Sequence, residues 1–254
     1  MKLKPILLYL SFIIPVLFAC VENASIAPEE DDTGIASEID IEEQVTETDS
    51  LKISTIKILA LGDSYTIGES VCETCRFPEQ LKRRLELKLE SIDSIKLQVI
   101  ATTGWTTTNL ISAIKTITPP EDHDLVTLLI GVNNQYQGRP FSIYQAEFPQ
   151  LVNTAIQKAK GDKSNIIVLS IPDYAFTPFG RGNSNISIAL DAYNVFAKDY
   201  CLQNGIRYVN ITDITREGLT NPELVASDGL HPSELAYSKF VDSLLPIATV
   251  KLEN

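Results

Sequence analysis

Histidine is scarce in this chain: among 254 residues there are two, His123 and His231. Any chemistry that needs a base near neutral pH has few places to find one. Tryptophan occurs once, as Trp105, and cysteine four times, as Cys20, Cys72, Cys75 and Cys201. Lysine and arginine are missing from residues 21 to 50, where eleven Asp or Glu fall. No basic patch appears, so nothing points to a nucleic-acid partner. No internal repeat is visible, which argues against a solenoid or array. The apolar run at residues 5 to 19 is shorter than the roughly 20 residues a membrane-spanning helix needs.

That run follows Lys2 and Lys4 and ends at Leu17, Phe18, Ala19 and Cys20. A positive start followed by a short apolar stretch reads as a secretory signal over residues 1 to 19. Leu-Phe-Ala-Cys resembles the lipobox of bacterial lipoproteins. The resemblance implies a lipid on Cys20 and anchoring to a bacterial membrane, periplasmic or at the cell surface. The alternative is an ordinary signal peptide with a chance cysteine, and in either case the chain is exported. Residues 20 to 50 read as an acidic, disordered tether with little to pack a core. Charge supports a boundary near residue 51. The whole chain stands at −12, the two lysines contribute +2 and the tether −11, which leaves −3 for residues 51 to 254. That part is long enough for one domain with a sizeable core.

From residue 51 onward, apolar runs alternate with helical stripes. TIKILAL (55–61), KLQVIA (96–101), DLVTLLI (124–130), NIIVLSI (165–171) and IRYVNI (206–211) read as strands. Helices are predicted over 77–91, 108–117, 142–160, 187–203 and 233–248; Phe77, Leu81, Leu85 and Leu89 form an apolar stripe in the first. Strands that are apolar throughout, separated by amphipathic helices, predict a five-stranded parallel sheet in a three-layer αβα sandwich. Sites in such folds lie at the carboxyl ends of the strands.

The segments after the predicted strands carry the polar residues of interest. They are Gly62-Asp63-Ser64, then Thr103-Gly104-Trp105, then Gly131-Val132-Asn133-Asn134, then Pro172-Asp173-Tyr174, and finally Asp228-Gly229-Leu230-His231-Pro232. A serine hydroxyl is a weak nucleophile and needs a base within reach. If Ser64 is a nucleophile, His231 is nearly forced as its base, because His123 precedes the third strand and so belongs to the opposite edge, where a surface loop is predicted. Asp228 can turn back to accept from the other ring nitrogen. The plainer readings are Ser64 as a helix N-cap, Asp228 as a cap for the last helix, and Asn133 as a turn residue.

These segments also carry a family resemblance. GDSYTIGE resembles the first block of the SGNH, or GDSL-type, hydrolases. Gly104 in TTGWTT is similar to their second-block glycine, GVNN to their third block and DGLHP to their fifth. The four blocks occur in order between residues 55 and 250. The resemblance implies a flavodoxin-like sandwich with Ser64 as nucleophile, His231 as base and Asp228 as its orienter. It implies an oxyanion hole from the Ser64 N–H, the Gly104 N–H and Asn133, with no cofactor or metal. Asn134 departs from the pattern, since Asp is commoner there.

Other features are weaker. Glu69, where a phosphate loop would need a lysine, rules that motif out. Cys72 and Cys75 suggest a redox pair or, in an exported protein, a local disulfide. Cys201 reads as a buried thiol. Trp105 could wall a substrate pocket or pack in the core. Arg139 and Arg181 could meet an anionic substrate but are more simply solvated. The segment 172–186 offers Tyr174, Phe176 and Phe179, enough aromatic surface for a short slot beside the site. The predicted function is a serine esterase acting on O-acyl esters through an acyl-serine intermediate. Its substrate would be an acetylated glycan or, alternatively, a lysophospholipid. Two other classes compete: a catalytically silent binding module on the same scaffold, and a thiol oxidoreductase using Cys72 and Cys75.

Overall fold

The apolar runs pair into one sheet in the computed structural model, which describes residues 55–90 and 92–253. The predicted signal segment, Cys20 and the acidic tether lie outside the described residues. The strands are β1 (Thr55–Gly62), β2 (Ser94–Ala101), β3 (Leu125–Leu129), β4 (Ile166–Leu169) and β5 (Arg207–Val209). All neighbours are parallel, in the order β2-β1-β3-β4-β5. Consecutive residues of β1, Ile58 to Leu61, are essentially inaccessible to solvent. Both faces of the sheet are therefore covered, which is why the runs are apolar without alternation.

The helices are α1 (Ser64–Ile67), α2 (Phe77–Lys88), α3 (Thr107–Ile117), α4 (Val132–Tyr136), α5 (Phe141–Lys158), α6 (Ser184–Asn204), α7 (Thr212–Thr215) and α8 (Glu234–Leu252). The chain first steps outward from β1 to β2, then returns past β1 to β3 and continues to β5. Crossovers of one hand then put α2 on one face and α3, α5 and α6 on the other. The packing follows this division: α2 lies against α8, α3 against α5, and α5 against α6. Rings fasten the α5–α6 pair. Tyr144 and Tyr193 lie 4.6 Å apart between centroids, and Tyr144 stacks on Phe148 at 5.2 Å. Pro149 sits inside α5. An interior proline costs an isolated helix roughly 3 kcal/mol, yet α5 continues past it, packed against α6.

Several elements are shorter than the sequence pattern predicts. α2 stops at Lys88 because Leu89 turns to an extended conformation while staying buried. β4 and β5 stop early because side chains take over the backbone hydrogen bonds. The Ile171 N–H donates to Asn194 Oδ1 at 2.7 Å, and the Ile211 and Thr212 N–H groups donate to Ser170 Oγ. The one-turn helices α1, α4 and α7 have no apolar stripe of their own and leave no periodic trace.

At the end of β1 the chain passes very close to β3. A Cβ built on Gly62 would lie 2.1 Å from Thr66 Oγ1 and 2.4 Å from the Leu129 carbonyl oxygen. Glycine is required here by space, since a backbone carbonyl in a sheet cannot move aside. Gly62→Ala should destabilise the domain by about 2–3 kcal/mol, read as a lower urea midpoint at unchanged slope. A midpoint equal to wild type would mean that the two strands separate easily.

Candidate active site

The sheet order reverses between β1 and β3, and ligand crevices open at such a switch point. A cavity of about 190 Å³ lies there, lined by Ser64 after β1, Thr103 and Gly104 after β2, Asn133 after β3, Tyr174 after β4 and His231 before α8. Tyr65, Val132, Tyr136, Phe179 and Leu230 complete its wall. A larger trough of about 360 Å³ opens beside α6 and β5, lined by Asp191, Lys198, Asn210 and Arg216, away from these groups.

Ser64 is the first residue of α1. The capping role considered for it belongs instead to Asp63, whose Oδ1 accepts from the Tyr65 N–H at 3.1 Å. As a first-turn residue, Ser64 has a backbone N–H with no partner within the helix. The Tyr65 ring stands edge-on to the His231 ring, with centroids 5.7 Å apart.

His231 Nδ1 lies 2.5 Å from Asp228 Oδ2. Asp228 Oδ1 accepts from the backbone N–H groups of Leu230 at 2.9 Å and His231 at 3.0 Å, and Ser70 Oγ donates to Oδ2 at 2.7 Å. Burial alone would raise the pKa of this carboxyl. The four hydrogen bonds, led by that of the His231 side chain, outweigh it and hold the group well below the usual carboxylate range. An ionised Asp228 can only accept, so Nδ1 carries a hydrogen and the neutral ring leaves Nε2 free to act as a base. Asp228 does not cap α8, because Ser233 does so by accepting from the Ala236 N–H.

On the other side of the cavity, Asn133 Nδ2 donates to the Trp105 carbonyl at 3.1 Å. That bond identifies the nitrogen end of the amide and leaves its second N–H available. Gln137 Nε2 donates to the Gly104 carbonyl at 2.8 Å. Gly104 has φ +85°, a left-handed backbone that favours glycine, and a Cβ there would meet nothing within 4 Å. Asn134, fully buried, accepts from the Thr107 N–H and donates to Thr107 Oγ1 at 2.7 Å, while that hydroxyl gives its own hydrogen to Glu147. Asn134 thus serves Thr107 as both acceptor and donor. An aspartate there would supply no such donor and would add a buried charge.

Not every residue singled out in the sequence reaches the site. Trp105 does not line the cavity: its indole packs half-buried against the core, and its carbonyl is what meets Asn133. Phe176 does not line it either, whereas Tyr136 does, with Tyr136, Tyr174 and Phe179 packing ring to ring at 6.0 to 6.2 Å. Tyr174 donates its hydroxyl hydrogen to Gln135 Oε1 at 2.8 Å. Arg139 and Arg181 are exposed and outside the lining. His123 precedes β3 at the opposite edge, but it is buried with Nδ1 against the Lys158 carbonyl, not on a surface loop. Cys72 and Cys75 form a disulfide, with Cα atoms 5.0 Å apart. Cys201 is a buried free thiol whose pKa burial pushes up to about 12. Among the described residues, no group of three or more His, Cys, Asp or Glu is placed to hold a metal ion.

Asp63 sits in the opposite environment to Asp228. It is buried and its Oδ2 has no hydrogen-bond partner. Burial pushes its pKa from 3.8 to about 7, against the pull of the Tyr65 and Gly131 backbone N–H groups. Between those two values the folded state holds a proton that the unfolded chain has released. Stability from this group is full below the unfolded value and is lost as pH rises through about 7. Asp228 works the other way, losing its contribution as pH falls below 3.8. The stability difference between wild type and Asp63→Asn should shift against wild type by on the order of 4 kcal/mol between about pH 4 and about pH 8. Denaturant titrations across that range would show it, and a pH-independent difference would mean that the Asp63 carboxyl is hydrated.

Residues 60–239 match the model of the GDSL-like lipase/acylhydrolase family. No curated protein matches the chain. Among solved structures, a lipolytic protein of the G-D-S-L family from Veillonella parvula superposes with a TM-score of 0.59 at 19% identity, covering 77% of this chain and 99% of its own. An acetylxylan esterase from Geobacillus stearothermophilus gives 0.59 at 20% identity, over 76% and 94%. A lipase/acylhydrolase from Enterococcus faecalis gives 0.59 at 18% identity, over 77% and 95%. At these identities the structural likeness speaks for the fold, while the family match spans most of the described domain. The chain therefore belongs to the GDSL-like lipase/acylhydrolase family and is a hydrolase.

Proposed function

We propose that the protein is a serine esterase that cleaves short O-acyl esters, with acetyl groups on glycans as the preferred natural substrate class. What carries this reading is one cavity lined by Ser64, Gly104, Asn133 and His231, with Asp228 hydrogen-bonded to the far side of the imidazole. Ser64 Oγ attacks the ester carbonyl while His231 Nε2 takes its proton. The Ser64 N–H, the Gly104 N–H and the free N–H of Asn133 Nδ2 stabilise the oxyanion of the tetrahedral intermediate. His231 then protonates the departing alkoxide, leaving an acyl-Ser64. Water, deprotonated by His231, attacks that ester; the acid is released as the acyl–Oγ bond breaks, and Ser64 Oγ takes the proton back from His231. Asp228 keeps the imidazole in one tautomer and stabilises its charged form.

The cavity limits the acyl group. At about 190 Å³ it is below the usual range for ligand pockets, roughly 300–1,000 Å³. A long chain gains roughly 0.8 kcal/mol per buried methylene and needs an extended apolar trough to do so. The wall here is a compact cluster of Tyr136, Tyr174 and Phe179. Lysophospholipid is the second reading, favoured by the exposure of Tyr136 and Phe179, 57% and 49%, at the cavity. The signal-like start and Leu-Phe-Ala-Cys20 support an exported enzyme held at a bacterial membrane by lipid, with the acidic segment as its tether.

Ser64→Ala and His231→Ala should each lower kcat by at least about 1,000-fold, and the double variant should lose no more than either alone. Asp228→Asn should lose less, since the base remains. Turnover by Ser64→Ala equal to wild type on every ester tried would sink the mechanism. On p-nitrophenyl esters, kcat/KM should be higher for acetate and butyrate than for palmitate. A steady rise with chain length beyond about eight carbons would favour the lysophospholipid reading.

A further inference from the structure

Ser70 lies in the turn that follows α1, and its backbone has φ +68°. A residue with a Cβ seldom adopts that conformation. Burial does not compensate for it, because Ser70 is exposed. What the conformation accompanies is a hydrogen bond from the Ser70 hydroxyl to Asp228 Oδ2 at 2.7 Å, the oxygen that also meets His231 Nδ1.

The remaining hydrogen bonds to Asp228 come from Leu230 and His231, within its own turn. Ser70 is different: it belongs to the segment that carries Ser64. Its hydroxyl ties that segment to the turn that carries the base, across 158 residues of sequence. The Asp228 side chain is 30% exposed, so without this bond water would take the second acceptor position of Oδ2, the oxygen that meets His231 Nδ1. The loop that presents Ser70 is itself fastened on both sides. Glu69 accepts from the Thr103 hydroxyl beside Gly104. Cys72 is joined to Cys75, and the following Arg76, largely buried, donates to Glu73 and Glu79.

We propose that Ser70 is a positioning residue, whose hydroxyl holds the Asp228 carboxylate in the orientation that keeps His231 aligned with Ser64. This rests on the reading of Ser64, His231 and Asp228 given above. Ser70 touches neither substrate nor reacting atoms, so its effect passes through Asp228 alone. Its removal changes the rate of the chemical step and leaves substrate binding as it was.

Glycine is the informative substitution, because it removes the hydroxyl and accepts the left-handed backbone. With p-nitrophenyl acetate as the probe, Ser70→Gly is expected to lower kcat about tenfold, the scale of one charge-assisted hydrogen bond. KM should stay within about twofold and Tm should be equal to or above wild type. Ser70→Ala should show the same loss of kcat. In an Asp228→Asn background, Ser70→Gly should cause no further loss. The proposal is overturned if Ser70→Gly keeps wild-type kcat, if its effect falls on KM, or if its loss is equal in both backgrounds. Ser64→Ala in the same assay separates the two claims. Turnover retained there removes the parent reading and this one with it, whereas turnover lost there with Ser70→Gly unaffected overturns the Ser70 role alone.

Discussion

The arrangement of this site depends on the double pairing of β1. The strand is hydrogen-bonded to β2 along eight residues and to β3 along five, and it is buried on both faces. A strand held in that way has a fixed end point, and Gly62 brings that end against the β3 backbone. Asp63 and Ser64 follow with no slack. Because the sheet order reverses at β1, the loops after β2 and β3 diverge on either side of Ser64. The cavity between them therefore follows from the strand order.

The two aspartates nearest the site show how the same side chain takes opposite states. Asp63 is enclosed by the sheet and α1 with one oxygen unpartnered, so burial favours its proton. Asp228 stands on a half-exposed turn and collects four hydrogen-bond donors, so its charge is favoured. Sequence position does not separate them, since each is followed within three residues by a group of the site. Their surroundings do. Below about pH 7 a protonated Asp63 adds no negative charge next to the place where an oxyanion would form. A charged Asp228 supports an imidazole that must become cationic.

The periodicity of the strands and of the five long helices left a clear trace, because long elements buried on a face must repeat apolar residues at the spacing of that face. The parallel architecture followed from continuous apolar strands. The residues gathered at the cavity were legible for a different reason: each immediately follows a strand or precedes α8. Trp105 was ambiguous because a single aromatic beside a loop glycine reads equally as pocket or core, and its ring went to the core while its carbonyl stayed at the site. Tyr136 was missed because α4 is five residues long and has no stripe. Ser70 was missed because an isolated serine in a polar loop carries no pattern at all.

The order of strands along the chain, the glycine at the close approach, and the polar residues after each strand were determined by the sequence itself. These properties depend on local backbone chemistry and on apolar spacing, both of which are written residue by residue. The tertiary structure decided the direction in which each aspartate's pKa is moved and which aromatics form the cavity wall. It also decided that Asn134 donates to Thr107 and that Ser70 reaches Asp228. Most of these are contacts between segments tens to more than a hundred residues apart, and their sign depends on burial and on the direction of a donor. Neither quantity exists until the sheet has closed and the loops have met.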